Sequence, residues 1–269
     1  MNVTQPKRIA FVGAGNVAWH LAQALASAGH GVQAVYSRGA SSREALAKVI
    51  PGALPVAAPD FRAMALDLVV IAVPDAALIP VAADLRVAPG TAVVHTSGSQ
   101  PLALLHVVEG ARTGVFYPLQ TFSKGKLLDL AEVPLLLEAQ DEETLRLLEL
   151  VAGSLSNKVY RMGFEDRKRL HLAAVFACNF TNHLLGISRQ LLQEANLPAE
   201  LLQPLLAETI AKATAQDPFA VQTGPAVRGD DPVLQAHQHM LQQHPRYREI
   251  YALLSESIQA RAKIEQIRH

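Results

Sequence analysis

A single cysteine, Cys178, stands among 269 residues. No disulfide can form within the chain, and the composition fits a reducing compartment, the cytoplasm. An excess of either charge is also missing, since 24 Lys and Arg are matched by 24 Asp and Glu. Without a basic surplus nothing tracks a phosphate backbone, so nucleic acid is not an expected partner. Long unbroken apolar runs are lacking too. The greasiest region, 66–85, is cut by Asp67, Pro74, Asp75, Pro80 and Asp84, so no membrane partner is expected, and the polar start of the chain before Gly13 and Gly15 does not read as a signal peptide. His237, His239 and His244 have no cysteine or carboxylate beside them at ligand spacing, so no metal is expected. Ser97 and Ser99 around Gly98 do not form the Gly-x-Ser-x-Gly elbow of hydrolases.

What the chain does have is apolar mass: 50% of its residues are hydrophobic and 18% charged, enough for a large core at a length that suits two domains. Short β-rich runs alternate with helical stretches at first. Residues 8–12 read as a strand, 16–28 as a helix ending at Gly29, and 32–36 as a second strand. Ser41 and Glu44 have the spacing of a capping box for the next helix, which stops before Pro51. Leu68–Val73 contains no polar residue, which suits a central parallel strand covered on both faces. Strands follow at 91–95 and 114–117, and 134–138 and 158–161 extend the sheet around a helix over 141–155. This order specifies a doubly wound parallel sheet. From Phe164 the pattern turns helical (164–195, 199–216, 232–243, 245–266), punctuated by Pro198, Pro218, Pro225, Pro232 and Pro245. The expected fold class is therefore α/β: a Rossmann domain over 1–162, then an all-α domain over 163–269.

The strongest chemical signal is Gly13-Ala14-Gly15-Asn16-Val17-Ala18, the Gly-x-Gly-x-x-Ala form of the dinucleotide fingerprint. It follows a strand and opens a helix, so the backbone can turn tightly and present a helix N-terminus to a pyrophosphate. At the end of the second strand an NAD site carries an acid for the ribose hydroxyls. Here the chain reads Tyr36-Ser37-Arg38-Gly39, with Arg43 close behind. A hydroxyl and guanidinium groups suit a 2′-phosphate, so NADP(H) is expected in preference to NAD. Gly13, Ala14, Gly15, Asn16, Val17, Ser37, Arg38, Val73 and Pro74 are the expected cofactor contacts. Asp75 reads either as a cap for the next helix or as a further contact.

His95-Thr96-Ser97-Gly98-Ser99 ends the strand after that and is rich in donors. His95 is either an acid/base group or a structural imidazole. On the first long helix, Lys168, His171, Asn179 and Asn182 fall within an arc of roughly 80° at about 100° per residue. Such a stripe either lines the cleft facing the nicotinamide, with His171 moving the proton that accompanies hydride transfer, or satisfies itself inside a helical interface. His171, His95 and Asn179 are the catalytic candidates. Ser97, Tyr117, Gln120 and Asn182 are candidate substrate contacts, and Arg228 either binds an anionic substrate group or pairs with Asp230 or Asp231, the pairing being the favoured reading.

Gly13-x-Gly-Asn-Val-Ala, Ala72-Val-Pro-Asp75, His95-Thr-Ser-Gly98 and Phe116-Tyr-Pro-Leu-Gln-Thr-Phe122 together resemble an uncharacterised bacterial family. Its members join a Rossmann-like domain to a helical domain of unknown function and carry NADP oxidoreductase names. Segments 171–183 and 223–230 resemble it as well. More distantly the layout is similar to pyrroline-5-carboxylate reductase, prephenate dehydrogenase and 6-phosphogluconate-type dehydrogenases. That resemblance implies a 6-phosphogluconate-dehydrogenase-like helical domain that completes the active site and builds a homodimer. Lys168 is followed by Leu172 where the β-hydroxyacid dehydrogenase pattern has Asn, so the catalytic lysine of that pattern is not inherited. The expected function is NADP(H)-dependent hydride transfer to or from a small carbonyl, imine, or hydroxy or amino compound. The alternative is a protein that binds NADP(H) as a sensor or scaffold and catalyses nothing.

Overall fold

A computed structural model describes residues 5–125 and 128–268, with side chains through 264. The chain divides into two compact units, the first ending at Asn179 and the second beginning at Phe180.

The first unit is built on one eight-stranded sheet, β1 (Arg8–Val12), β2 (Gly31–Tyr36), β3 (Leu54–Val56), β4 (Leu68–Ile71), β5 (Ala92–His95), β6 (Arg112–Pro118), β7 (Leu135–Ala139) and β8 (Val159–Arg161), in the order 3-2-1-4-5-6-7-8. Five helices accompany it: α1 (Asn16–Ser27), α2 (Ala40–Lys48), α3 (Asp75–Asp84), α4 (Glu142–Gly153) and α5 (Phe164–Ala174). Every pairing is parallel except β6 with β7. Side chains alternate across the central strands as a pleat requires. Ile9, Phe11, Leu68 and Val70 point into one core with Leu21, Leu25, Leu46 and Leu148. Ala10, Val12, Val69 and Ile71 point into the other with Leu78, Ala82 and Leu105. The sheet is thus covered on both faces, and its connections reverse direction between β1 and β4. That is the topological switch point, where open α/β sheets bind ligands at the carboxyl ends of their strands.

One local expectation is corrected. α2 begins at Ala40 behind an N-cap Gly39 with no side-chain cap, so Ser41 and Glu44 lie inside the helix and form no capping box. A 3₁₀ helix, Leu102–Val107, follows Pro101. The short strand β3 is unanticipated, and its Pro55 is tolerated because β3 is an edge strand.

The division after Asn179 falls later in the chain than the sequence boundary near 162. Arg167 and His171 of α5 are hydrogen-bonded to Glu138, Gln100 and Tyr117 of the sheet unit, which ties this helix to it. Beyond α5, Val175–Phe180 winds as a π-helix.

The second unit consists of α6 (Thr181–Glu194), a 3₁₀ turn (Ala199–Leu202), α7 (Gln203–Ala215), α8 (Pro225–Arg228), α9 (Asp231–Met240) and α10 (Pro245–Arg268). Proline sits in the first turn of α7, α8 and α9 and opens α10, where its missing N–H costs nothing. Cross-links within the unit are polar. Tyr247 donates to Gln190 at 2.5 Å, His244 meets Glu194 at 2.8 Å, and His237 meets Tyr251 at 2.9 Å. Its buried apolar side chains among the described residues are only Ala226, Leu234 and Leu241, whereas Leu201, Leu205, Ile210, Phe219 and Leu253 are exposed.

Among the described residues one helical stretch, Phe164–Glu194, is long and apolar enough to cross a membrane. His171 lies within it and is bonded to Tyr117 of β6, so the start of the stretch is fastened to the sheet.

Candidate active site

The fingerprint loop forms a cradle that only glycine permits. Gly13 adopts φ +111°, and a Cβ there would lie 2.2 Å from the Ala72 carbonyl oxygen. Its N–H donates to the Tyr36 carbonyl at 2.7 Å, which binds the loop to the end of β2. Gly15 is the N-cap of α1, and no side chain caps this helix or adds an acid to its first turn. The first amides of α1 are therefore unspent, with the positive end of the helix dipole behind them, which is the donor set a pyrophosphate needs.

A cavity of about 140 Å³ opens beside this loop, lined by Gly13, Ala14, Gly15, Ser37, Val73 and Pro74 among others. Across Tyr36, Arg38 and Pro74 it adjoins a second cavity of about 420 Å³ bounded by Pro59, Pro80 and Asp84. Arg38 borders both cavities, is exposed and has no hydrogen-bond or ionic partner among the described residues. Arg43 is committed differently: its Nη1 donates to the Ser37 carbonyl at 3.1 Å and so fixes the turn that presents Arg38. The residues present fit a dinucleotide, and at the end of β2 they offer a free guanidinium and no acid.

Past the switch point, the loop after β5 meets β6 and α5. Ser97 Oγ accepts from the amides of Ser99 and Gln100, both at 3.1 Å, which curls the loop. Gly98 then passes beneath two rings, since a Cβ there would lie 2.7 Å from both His171 Nδ1 and Tyr117 Cζ. The Tyr117 hydroxyl and His171 Nδ1 are 3.0 Å apart, with the rings edge to face. Ser99 donates through a short hydrogen bond to Asp75 Oδ2, which Gln100 Nε2 also approaches at 3.5 Å. Burial by itself would raise the Asp75 carboxyl. Hydrogen bonds from Ser99, Ser97 and Gln100, with the field of His171, outweigh burial and hold it below its ordinary value. Burial raises the Tyr117 phenol, keeping it protonated and able to donate.

Arg167 underlies this loop. It is fully buried, forms an ion pair with Glu138, and donates from Nη2 to the Gln100 carbonyl at 2.7 Å. Its place in the run Glu165-Asp166-Arg167-Lys168-Arg169 gives no sequence signal that sets it apart from its exposed neighbours.

Several of the remaining expected site residues are held by other contacts. His95 is wholly buried. Its Nδ1 accepts from the Ser97 amide at 3.1 Å, so Nε2 carries the hydrogen. Burial, reinforced by the Arg167 guanidinium, lowers its pKa to about 4. A neutral imidazole shut inside the sheet is not placed to exchange protons with a substrate, and the geometry favours the structural role. Asn16 donates to the Phe122 carbonyl at 2.9 Å, holding the segment after β6 against α1. Val17 packs on the core, and Gln120 accepts from the amide of its neighbour Thr121 at 2.8 Å. The π-helix at Val175–Phe180 inserts about one extra residue, or about 100° of phase, so the polar arc computed at 3.6 residues per turn ends at His171. Asn179 and Asn182 are exposed and belong to different units. Arg228 makes no ion pair among the described residues; it ends α8 ahead of a left-handed Gly229.

Residues 2–119 match a family described as a Rossmann-like domain, and residues 133–258 match the domain of unknown function DUF2520. Among solved structures, a "putative NADP oxidoreductase" from Bacteroides fragilis is 38% identical with a TM-score of 0.86, over 95% of this chain and 98% of that one. A protein from Thermotoga maritima is 23% identical with a TM-score of 0.64, over 96% of this chain and 99% of its own. A reductive aminase from Aspergillus terreus, in complex with NADPH and ethyl-5-oxohexanoate, is 17% identical with a TM-score of 0.67, over 96% and 94% of the two chains. The latter two likenesses show the fold alone. No protein of curated function matches. With a Rossmann-like domain followed by DUF2520, and with the Bacteroides fragilis protein alike over nearly its whole length, the chain belongs to the family that joins these two domains.

Proposed function

We propose that this protein is an NADP(H)-dependent oxidoreductase acting on a small carbonyl, imine, or hydroxy or amino compound. The observation that carries the reading is the cradle at Gly13, where close backbone approach and an uncapped helix start coincide at the switch point. The NADP oxidoreductase name of the Bacteroides fragilis relative supports it. Bound there, the cofactor supplies or accepts a hydride at its nicotinamide ring. The chain's own groups do the rest. Amides at the start of α1 hold the pyrophosphate, Arg38 takes the 2′-phosphate, and Val73 with Pro74 forms a wall. The Tyr117–His171 pair holds the proton that accompanies hydride transfer, on the same side of the sheet loops as Ser97 and Ser99.

The helical unit is proposed to form a homodimer, because its apolar side chains outnumber those it buries. A cytoplasmic location is proposed on the lone cysteine and on the tethering of the Phe164–Glu194 stretch through His171.

Titration calorimetry with NADPH and NADH tests the reading. NADPH should bind at least tenfold tighter, about 1.4 kcal/mol, and Arg38→Ala should remove most of that difference. Equal wild-type affinities defeat the preference, and no binding of either defeats the dinucleotide site. NADPH consumption across a panel of ketones, aldehydes and imines then tests the activity.

A further inference from the structure

We propose that Asp75 makes this site select a ligand bearing a positive charge on nitrogen, an amine or a protonated imine, over carboxylates and neutral carbonyl compounds. The proposal rests on the oxidoreductase reading above and names the substrate class of the same site.

Position is the first argument. Asp75 opens α3 directly after Val73 and Pro74, which line the dinucleotide cavity, so its carboxylate stands at the carboxyl end of β4 beside the switch point. Through Ser99 and Gln100 it is joined to the loop that carries the Tyr117–His171 pair.

The manner of its holding is the second. Several other carboxylates of this unit are neutralised by cations: Asp67 by Arg8, Asp60 by Arg62, Glu138 by Arg167, and Glu142 and Glu149 by Arg161. Asp75 forms no ion pair among the described residues. It is held by neutral donors, the Ser99 and Ser97 hydroxyls and the Gln100 amide, which fix its direction without cancelling its charge. The side chain is exposed. Arg167, the cation buried under the loop, is already matched by Glu138.

Electrostatics supplies the third. The start of α3 and the field of His171 both favour ionised Asp75. An oriented carboxylate with no salt-bridge partner among the described residues attracts a cation and repels an anion, and this discrimination sharpens as water is excluded.

A set sharing one five-membered ring tests this by binding, independently of turnover: cyclopentylamine, cyclopentanone and cyclopentanecarboxylate, titrated calorimetrically into the NADP⁺-loaded chain at pH 7. Cyclopentylammonium should bind at least tenfold tighter than the ketone, with the carboxylate weakest. Asp75→Asn should remove the preference and Asp75→Glu should keep most of it. Equal affinities, a preference for ketone or carboxylate, no amine binding at millimolar concentration, or a preference that survives Asp75→Asn overturns the proposal. Failure of NADP⁺ to bind defeats the dinucleotide reading instead, and the same three ligands on the cofactor-free chain still decide the role of Asp75.

Discussion

Tyr117 on β6 and His171 on α5 lie 54 residues apart in sequence, yet the tyrosine hydroxyl stands 3.0 Å from the imidazole Nδ1. Gly98 passes close beneath both rings, leaving the pair no room to shift toward the loop. A phenol held protonated by burial, in contact with an imidazole, is a two-member proton path. Tyr117→Phe and His171→Asn should each lower turnover on an accepted substrate by roughly a hundredfold or more. If the two act as one unit, the double variant should be no slower than the slower single variant. Multiplied losses in steady-state kinetics would show that the residues act separately.

Gly98→Ala tests the same geometry from below. The glycine is not in a left-handed conformation, so the effect is purely steric: the new methyl would meet His171 Nδ1 and Tyr117 Cζ at 2.7 Å. Overpacking of this kind costs about 1–3 kcal/mol. A lower midpoint in urea, together with lost turnover and retained NADPH affinity, is the expected result. Unchanged turnover would show that the pair can move without consequence.

The pH dependence of stability should report His95. Its pKa is about 4 in the folded chain and about 6.5 when unfolded, so the unfolded state takes up a proton first as the pH falls. This contribution is therefore complete above about pH 6.5, is lost progressively as the pH drops to about 4, and stays constant below. Asn in its place cannot titrate and can still accept from the Ser97 amide. Urea denaturation of wild type and His95→Asn at pH 7 and pH 5 should show a steeper loss for the wild type. Parallel losses would place the acid sensitivity elsewhere.

The dinucleotide half of the site was legible because its constraint is local. Gly13 is required by a backbone contact with Ala72, and the missing acid after β2 is a fact about a few consecutive residues. Tyr117 and His171 could be suspected from residue type, but their pairing depends on how β6 and α5 pack, which no periodicity encodes. Arithmetic at 3.6 residues per turn brought Asn179 and Asn182 in with His171, and the π-helix at Val175–Phe180 breaks that phase. Arg167 was hidden among like neighbours, and its meaning comes only from Glu138 and the Gln100 carbonyl. The antiparallel β7 likewise follows from chain reversal after β6, where strand-like composition is silent on direction.

Arg167 gives a stability prediction of larger size. Removing one member of a buried ion pair strands the other, which typically costs about 3–5 kcal/mol. Because Arg167 also holds the Gln100 carbonyl, Arg167→Ala should loosen the loop on which Ser97 and Ser99 sit. Arg167→Ala with Glu138→Ala should recover part of the stability, since no charge is then left unpaired. Turnover should stay low in both, because the anchor for Gln100 is gone. A destabilisation under 1 kcal/mol in urea for the single variant would contradict the buried pairing.

Assembly follows from the economy of the helical unit. Leu201 and Leu205 are each 62% exposed and Leu253 is 67% exposed, while only Ala226, Leu234 and Leu241 are buried among its described apolar side chains. So small a core cannot offset the chain entropy of ordering these helices, and apolar area of this extent in water favours association. The 28.9 kDa chain should therefore scatter light at twice its mass at micromolar concentration. Leu205→Asp on α7 puts a charge on that surface and should shift the population toward monomer or unfolded helical unit. The fingerprint loop lies in the other unit, so the full-length variant should still bind NADPH. A wild-type monomer at that concentration, with the helices intact by circular dichroism, would refute the dimer and show that these faces are stable in water.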